Sequence, residues 1–208
     1  MTKKNPITEE EFSRANEKSR KRKEARDRML ADKTVEKGLL IIHTGKGKGK
    51  STAAFGMAAR AIGNNMRVGI VQFVKGKWDT GERSVLEHFP EQVTIRTMGE
   101  GFTWETQDKA RDIVAAKNAW ETSKRMLSDP SFDLIILDEL NIVLRYSYLD
   151  TNEVVEKLVS RRKMLHVVIT GRNAKQELID VSDLVTEMTQ IKHPFREQNV
   201  RAQKGIEF

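Results

Sequence analysis

From Gly38 onward the chain alternates between short apolar runs and longer stretches whose apolar positions recur every three or four residues. The runs Leu39–His43, Val68–Val74, Val93–Met98, Leu134–Leu137, His166–Thr170 and Leu184–Gln190 read as strands. Several are nearly continuous in Val, Ile and Leu, the pattern of parallel strands covered by helices on both faces. Between them, residues 51–63, 82–88, 106–127, 152–160 and 174–180 read as helices. In the longest, Ile113, Ala116, Trp120 and Leu127 recur at helical spacing, so Trp120 is expected in the core. Pro90 and Pro130 stand just before strands and end the preceding helices. Strand and helix in alternation predict an α/β domain with a doubly wound, mostly parallel sheet over residues 38–208. No internal repeat is visible.

Residues 1–37 do not share this pattern. They are charged, lack glycine and are poor in large apolar side chains. Thr8-Glu9-Glu10-Glu11 forms a capping box, so a helix is expected to start there. Phe12, Met29 and Leu30 are too few for a continuous buried stripe. The segment reads either as a solvated, partly disordered arm or as a helix that docks over a site, on a partner subunit for instance.

Composition narrows the classes. A chain of 208 residues suits one domain with an appendage. It has no cysteine, which excludes disulfides, iron–sulfur clusters and thiolate zinc sites. His43, His88, His166 and His193 are scattered without ligand spacing, so no histidine metal site is expected. No apolar stretch is long enough to span a bilayer, and the charged N-terminus is no secretory signal; a cytoplasmic protein without membrane contact is expected. The net charge of +7 invites nucleic acid. However, residues 1–37 hold 12 Lys/Arg against 8 Asp/Glu, so +4 of the +7 sits in the arm. A basic surface that receives an anionic ligand accounts for the charge equally well.

The run Thr44-Gly45-Lys46-Gly47-Lys48-Gly49-Lys50-Ser51-Thr52 lies between an apolar strand and a small-residue helix. Strand, glycine loop and helix together make a phosphate cradle, in which amides point inward and the helix adds its positive end. Gly45 to Thr52 would bind a nucleoside triphosphate, with Lys50 on the phosphate oxygens and the Ser51 hydroxyl on magnesium. The usual pattern places glycine five residues before Gly49; this chain has Thr44. The second half of the signature is Phe132 to Glu139, an apolar strand that ends in Asp138 and Glu139. Carboxylates at that end of a strand are placed to hold magnesium, and the general phosphoryl-transfer template gives Asp138 the metal and Glu139 a water.

Three further segments carry open readings. Gly101-Phe102-Thr103-Trp104-Glu105-Thr106 puts two aromatics in a loop: a platform for a flat ligand or single-stranded nucleic acid, or rings folded into the core. Thr106 is also placed to cap the long helix. Arg172, after Gly171 at a strand end, either reaches the phosphates or is a surface arginine in an ordinary turn. The tail, residues 191–208, is basic with isolated apolar anchors and reads as a docked C-terminal segment.

Together these residues resemble the P-loop-type ATP:corrinoid adenosyltransferases, the cob(I)alamin or cob(I)yrinic acid a,c-diamide adenosyltransferases. The likeness runs from about Gly38 to Phe208 through 43–56, 71–76, 101–106, 137–140, 169–172 and 202–207, and it accounts for Thr44. It implies the P-loop NTPase, RecA-like fold and a transferase in which cobalt(I) of the corrinoid attacks the 5′ carbon of ATP and expels triphosphate. By resemblance, Gly45, Lys46, Gly47, Lys48, Gly49, Lys50, Ser51 and Thr52 cradle the triphosphate, and the nucleotide runs opposite to its direction in ordinary P-loop ATPases. Ser51 and Glu139, with Asp138 nearby, would hold Mg2+ or Mn2+, and Arg172 would assist the phosphates. Phe102 and Trp104 look like the residues that displace the lower axial ligand of cob(II)alamin, which eases its reduction by a reduced flavoprotein or free flavin. The N-terminal helix would cover the active site across a homodimer. Two departures stand out: Lys46 where relatives often carry Asn, and Asn173-Ala174 where a further glycine is typical. From the residues alone, the rivals are a basic P-loop ATPase acting on nucleic acid and a nucleotide-binding regulatory module without turnover.

Overall fold

A computed structural model of the chain describes residues 8–74, 80–98 and 108–207. The chain divides into two compact units, residues 1–36 and 37–208.

The first unit is carried by α1 (Glu9–Ala31). Its capping box is formed: the Glu11 N–H donates to Thr8 Oγ1 at 3.3 Å, and the Thr8 N–H donates to the Glu11 carboxylate at 2.9 Å. Glu9, Glu10 and Glu11 in the first turn suit the positive helix end. One-turn ion pairs run along its side, among them Glu17 with Lys21 at 2.8 Å. No residue of α1 is buried, so its order is supplied by these local terms. A helix supported only locally is marginal in water. Among the described residues the segment is therefore helical over Glu9–Ala31, with every side chain of that helix exposed.

The second unit runs β1 (Leu40–Thr44), α2 (Lys50–Ile62), β2 (Val68–Gln72), α3 (Gly81–Leu86), β3 (Val93–Thr97), α4 (Lys109–Ser128), β4 (Leu134–Asp138), α5 (Leu140–Arg145), α6 (Thr151–Val159), β5 (His166–Thr170), α7 (Gln176–Val181), β6 (Leu184–Glu187) and α8 (Pro194–Glu197). The strands form one sheet in the order β3-β2-β4-β5-β1-β6, every pairing parallel. Strand β5 separates β1, which leads into the glycine loop, from β4, which ends in the carboxylates. This is the expected doubly wound arrangement, here wholly parallel, and it sets both halves of the signature on one sheet edge.

Alternate strand residues supply two cores. Ile42, Val71, Ile135, Leu137, Val167 and Ile169 pack against the face covered by α4, α5 and α6, where Trp120 is 2% exposed as its spacing predicts. Ile41, Ile70, Ile136 and Val168 pack against Ala54, Phe55, Ala58 and Ile62 of α2. The Trp120 indole N–H donates to Glu153 at 2.9 Å, so its polar tip is satisfied at the margin of the core.

Several boundaries differ from the sequence expectation. Strand β2 stops at Gln72 although Phe73 and Val74 continue its apolar run, and β6 stops at Glu187, short of the expected Gln190. Helix α5 was not foreseen: it starts directly after Glu139, whose left-handed backbone (φ 61°) turns the chain out of the sheet. The cap of α4 is Asp108, accepting from the Arg111 N–H at 3.1 Å; Thr106, the expected cap, lies outside the described residues.

Candidate active site

The glycine loop takes its shape from the main chain beneath it. Gly45 has φ +96°, and a Cβ there would lie 2.5 Å from the Met188 carbonyl oxygen. At Gly47 the same oxygen would be 2.7 Å away. The Gly47 N–H donates to that oxygen at 2.6 Å, and the Met188 N–H donates to Thr44 O at 2.8 Å. The loop is therefore laid on the segment after β6, and only glycine permits the approach. Gly49, with φ +98°, ends the loop as the N-cap of α2 and offers no side-chain cap. The first amides of α2 are left for an anion.

Lys50 folds back onto this loop. Its Nζ donates to Gly47 O at 2.5 Å, and the side chain is 7% exposed. Burial pushes its ammonium below the usual range; Glu139 opposes the shift, while Arg172 and Lys48 add to it. Ser51 is half-buried at the start of α2; Lys46 and Thr52 are exposed. Arg172 is exposed after β5, yet close enough to Lys50 and Glu139 to act on both electrostatically.

The carboxylates are set by their neighbouring strands. Thr170 Oγ1 of β5 donates to Asp138 Oδ1 at 2.7 Å, and Gln72 Nε2 of β2 donates to Asp138 Oδ2 at 3.3 Å. Thr170 Oγ1 also accepts the Glu139 N–H at 2.9 Å, holding the residue whose backbone is left-handed. The chain continues outward: Thr97 Oγ1 donates to Gln72 Oε1 at 2.9 Å, and Arg83 Nη1 donates to Thr97 Oγ1 at 3.0 Å. Side chains from β3, β2, β4 and β5 thus lock the sheet edge into one polar row. Burial, and secondarily Asp138, pushes the Glu139 carboxyl up to about 7 against the pull of Lys50 and Arg172. Its Oε2 is buried without a hydrogen-bond partner.

A cavity of about 700 Å³ is walled by Lys48, Gly49, Lys50, Ser51 and Thr52 on one side and by Asp138 and Glu139 on another. That volume suits a nucleotide. Phe55, Val74, Pro194 and Ile206 supply apolar wall. A larger cavity of about 820 Å³ lies by Trp120, Tyr148 and Asp150, and no residue of the loop or of the carboxylate pair lines it. Size does not mark the site; the convergence of loop and carboxylates does.

Structure therefore brings Lys48, Lys50, Ser51, Asp138 and Glu139 together, with Arg172 in electrostatic range. Phe102 and Trp104 lie outside the described residues. Gln72, Thr170 and Met188 were not foreseen as parts of the site. For Thr170, the available signal was a polar side chain ending an apolar strand one position from the expected site edge. Met188 had none, because it acts through its backbone.

The profile of the family described as ATP:corrinoid adenosyltransferase BtuR/CobO/CobP matches residues 36–208. A corrinoid adenosyltransferase of Sinorhizobium sp is 54% identical over 193 residues, 92% of this chain and 90% of the relative. One from Pseudomonas aeruginosa is 47% identical over 199 residues, 96% of this chain and 98% of its own. The corrinoid adenosyltransferase CobA of Salmonella typhimurium is 43% identical over 202 residues, 97% and 100% respectively.

Proposed function

This chain belongs to the ATP:corrinoid adenosyltransferase family, and on that premise we propose that it transfers the 5′-deoxyadenosyl group of ATP to cobalt(I) of a corrinoid, in the making or salvage of adenosylcobalamin. The observation that carries the reading is the buried lysine loop and the clamped Asp138–Glu139 pair meeting in one nucleotide-sized cavity. In the proposed step the corrinoid's cobalt(I) gives its electron pair to C5′. A cobalt–carbon bond forms, the C5′–oxygen bond breaks, and its electron pair leaves on triphosphate.

No protein nucleophile or general base is needed for this. The loop amides and Lys50 hold the polyphosphate so that C5′ is presented, and they stabilise charge that grows on the leaving oxygen. Arg172 adds positive charge on the same side.

The donor set also fits a divalent cation. Among the described residues no group of three or more His, Cys, Asp or Glu is arranged to hold a metal alone. Magnesium bound with a nucleotide asks for less: one or two carboxylates together with phosphate oxygens. The unpartnered Glu139 Oε2 and the Ser51 hydroxyl would hold it, with Asp138 alongside. When bound, magnesium (or manganese) neutralises phosphate charge.

The finer parts of the proposal concern reduction and assembly. Phe102 and Trp104 displace the lower axial ligand of cobalt(II), a reduced flavoprotein or flavin gives the electron, and α1 serves as a lid within a cytoplasmic homodimer. Exposed Phe12, Met29 and Leu30 support the lid, since they are apolar surface that such a contact would cover. No helix among the described residues is long and apolar enough to cross a membrane.

One assay tests the reading. The protein is incubated with ATP, magnesium and chemically reduced cobalamin, and the cobalt(I) absorbance and phosphate products are followed. Adenosylcobalamin with triphosphate is expected; phosphate release stimulated by DNA or RNA would mean a nucleic-acid ATPase instead. Trp104→Ala is expected to slow the reaction that starts from cobalt(II) far more than the reaction given preformed cobalt(I). Equal losses in both would remove its special role.

Glu139 gives a pH prediction. Its folded pKa of about 7 lies above the usual 4.5, so in that interval the folded protein keeps a proton that the unfolded chain has lost. In metal-free buffer, stability should fall as pH rises from about 4.5 to about 7. Glu139→Gln should flatten that fall by on the order of 2 kcal/mol. Thermal melts across the interval check this, and an unchanged slope in the variant would place the proton elsewhere.

A further inference from the structure

We propose that Glu207 is an internal anion that occupies Lys48 until a polyphosphate displaces it, and that it thereby sets how firmly the site holds polyphosphate. The inference rests on the cavity being the ATP site.

The Glu207 carboxylate is ion-paired with the Lys48 ammonium of the glycine loop. Both residues wall the cavity that contains Lys50, Ser51, Asp138 and Glu139. The tail is otherwise open: Ile206 is 81% exposed, whereas the Glu207 side chain is 20% exposed. A turn brings it there. The Ile206 and Glu207 N–H groups both donate to Gln203 O, at 3.2 and 2.9 Å, and Gly205 takes φ +80° between them.

Lys48 stands in a loop whose geometry already favours anions, and both it and Arg172 act electrostatically on Lys50. A carboxylate on Lys48 offsets part of that positive charge when no nucleotide is bound. A phosphate that reaches Lys48 has to part the pair first, because the ammonium cannot keep both anions at full strength. The binding free energy of every such ligand is then lowered by the worth of the pair. The same competition works in reverse after transfer: the returning carboxylate helps the triphosphate product leave. Glu207 is thus an affinity-setting residue, acting through Lys48.

The test is titration calorimetry with inorganic tripolyphosphate and magnesium on the full-length protein and on Glu207→Gln. The variant is expected to bind tripolyphosphate about two- to fivefold more tightly, the range of a partly exposed ion pair. The gain should shrink in high salt. On a Lys48→Met background, Glu207→Gln should make no difference. In turnover, the variant should keep its single-turnover rate while its steady-state rate falls, since release is slowed. Unchanged or weaker tripolyphosphate binding would overturn the proposal, as would a loss confined to ATP, which would mean that Glu207 touches the nucleoside. If no form of the protein makes adenosylcorrinoid, the reading of the cavity fails, and the tripolyphosphate comparison still reports on Glu207.

Discussion

Lys50→Ala is expected to lower adenosyl transfer by about 10²–10³-fold, the usual loss when one preorganised donor to a developing oxyanion is removed. Lys50 is 7% exposed and its charged form is disfavoured by burial, so the fold does not benefit from this ammonium. Its one close partner in the loop is a carbonyl oxygen of Gly47. A residue kept at a cost to the folded state, and aimed into an anion cradle, is kept for the ligand. Lys50→Met should therefore lose turnover as Lys50→Ala does while melting at the same temperature or higher. Single-turnover rates with preformed cobalt(I) separate the chemical step from binding. A variant within about threefold of the parent rate would remove Lys50 from the leaving-group site.

Gly45→Val should be the most damaging single change in the loop. A β-branched residue resists φ +96°, and its Cβ would lie 2.5 Å from Met188 O and 2.7 Å from Met188 N, both backbone atoms that cannot swing away. Strain and overpacking together suggest a loss of about 2–5 kcal/mol. For a unit of this size that is a fall in melting temperature of roughly 5–15 °C. Nucleotide binding should disappear with it, because the Gly47 N–H and the loop amides shift off their floor. The control is Gly56→Ala in α2, where a Cβ meets nothing within 4 Å and stability should hold or rise. Differential scanning fluorimetry with and without ATP reads both variants.

How much of this was legible in the chain differs from element to element. The strands β1, β4 and β5 were plain because their buried faces leave unbroken runs such as Leu134-Ile135-Ile136-Leu137. The helix at α1 was announced by its capping box. Helix α5 was hidden, since Leu140 to Arg145 is too short a stretch to show helical spacing and nothing local signals that Glu139 turns the backbone left-handed. In the site, Lys50, Ser51, Asp138 and Glu139 are legible because their chemistry demands particular side chains at particular offsets. The clamp by Thr170 and Gln72 is not, because it depends on β5 and β2 both flanking β4, which only the sheet order reveals. The Lys48–Glu207 pair joins residues 159 positions apart, beyond any periodic pattern.

The support of the glycine loop by Met188 has a consequence for biosynthesis. Loop and floor are 141 positions apart (188 − 47). On the ribosome, β1 and α2 emerge long before the strand-end segment on which the loop must lie. A nascent chain therefore carries the glycines as an unbraced tether, unable to grip nucleotide and gain stability from it. Closure of this span also raises the contact order, which slows folding. ATP should accordingly speed no early folding phase and act only on the finished domain, as a ligand that retards its unfolding.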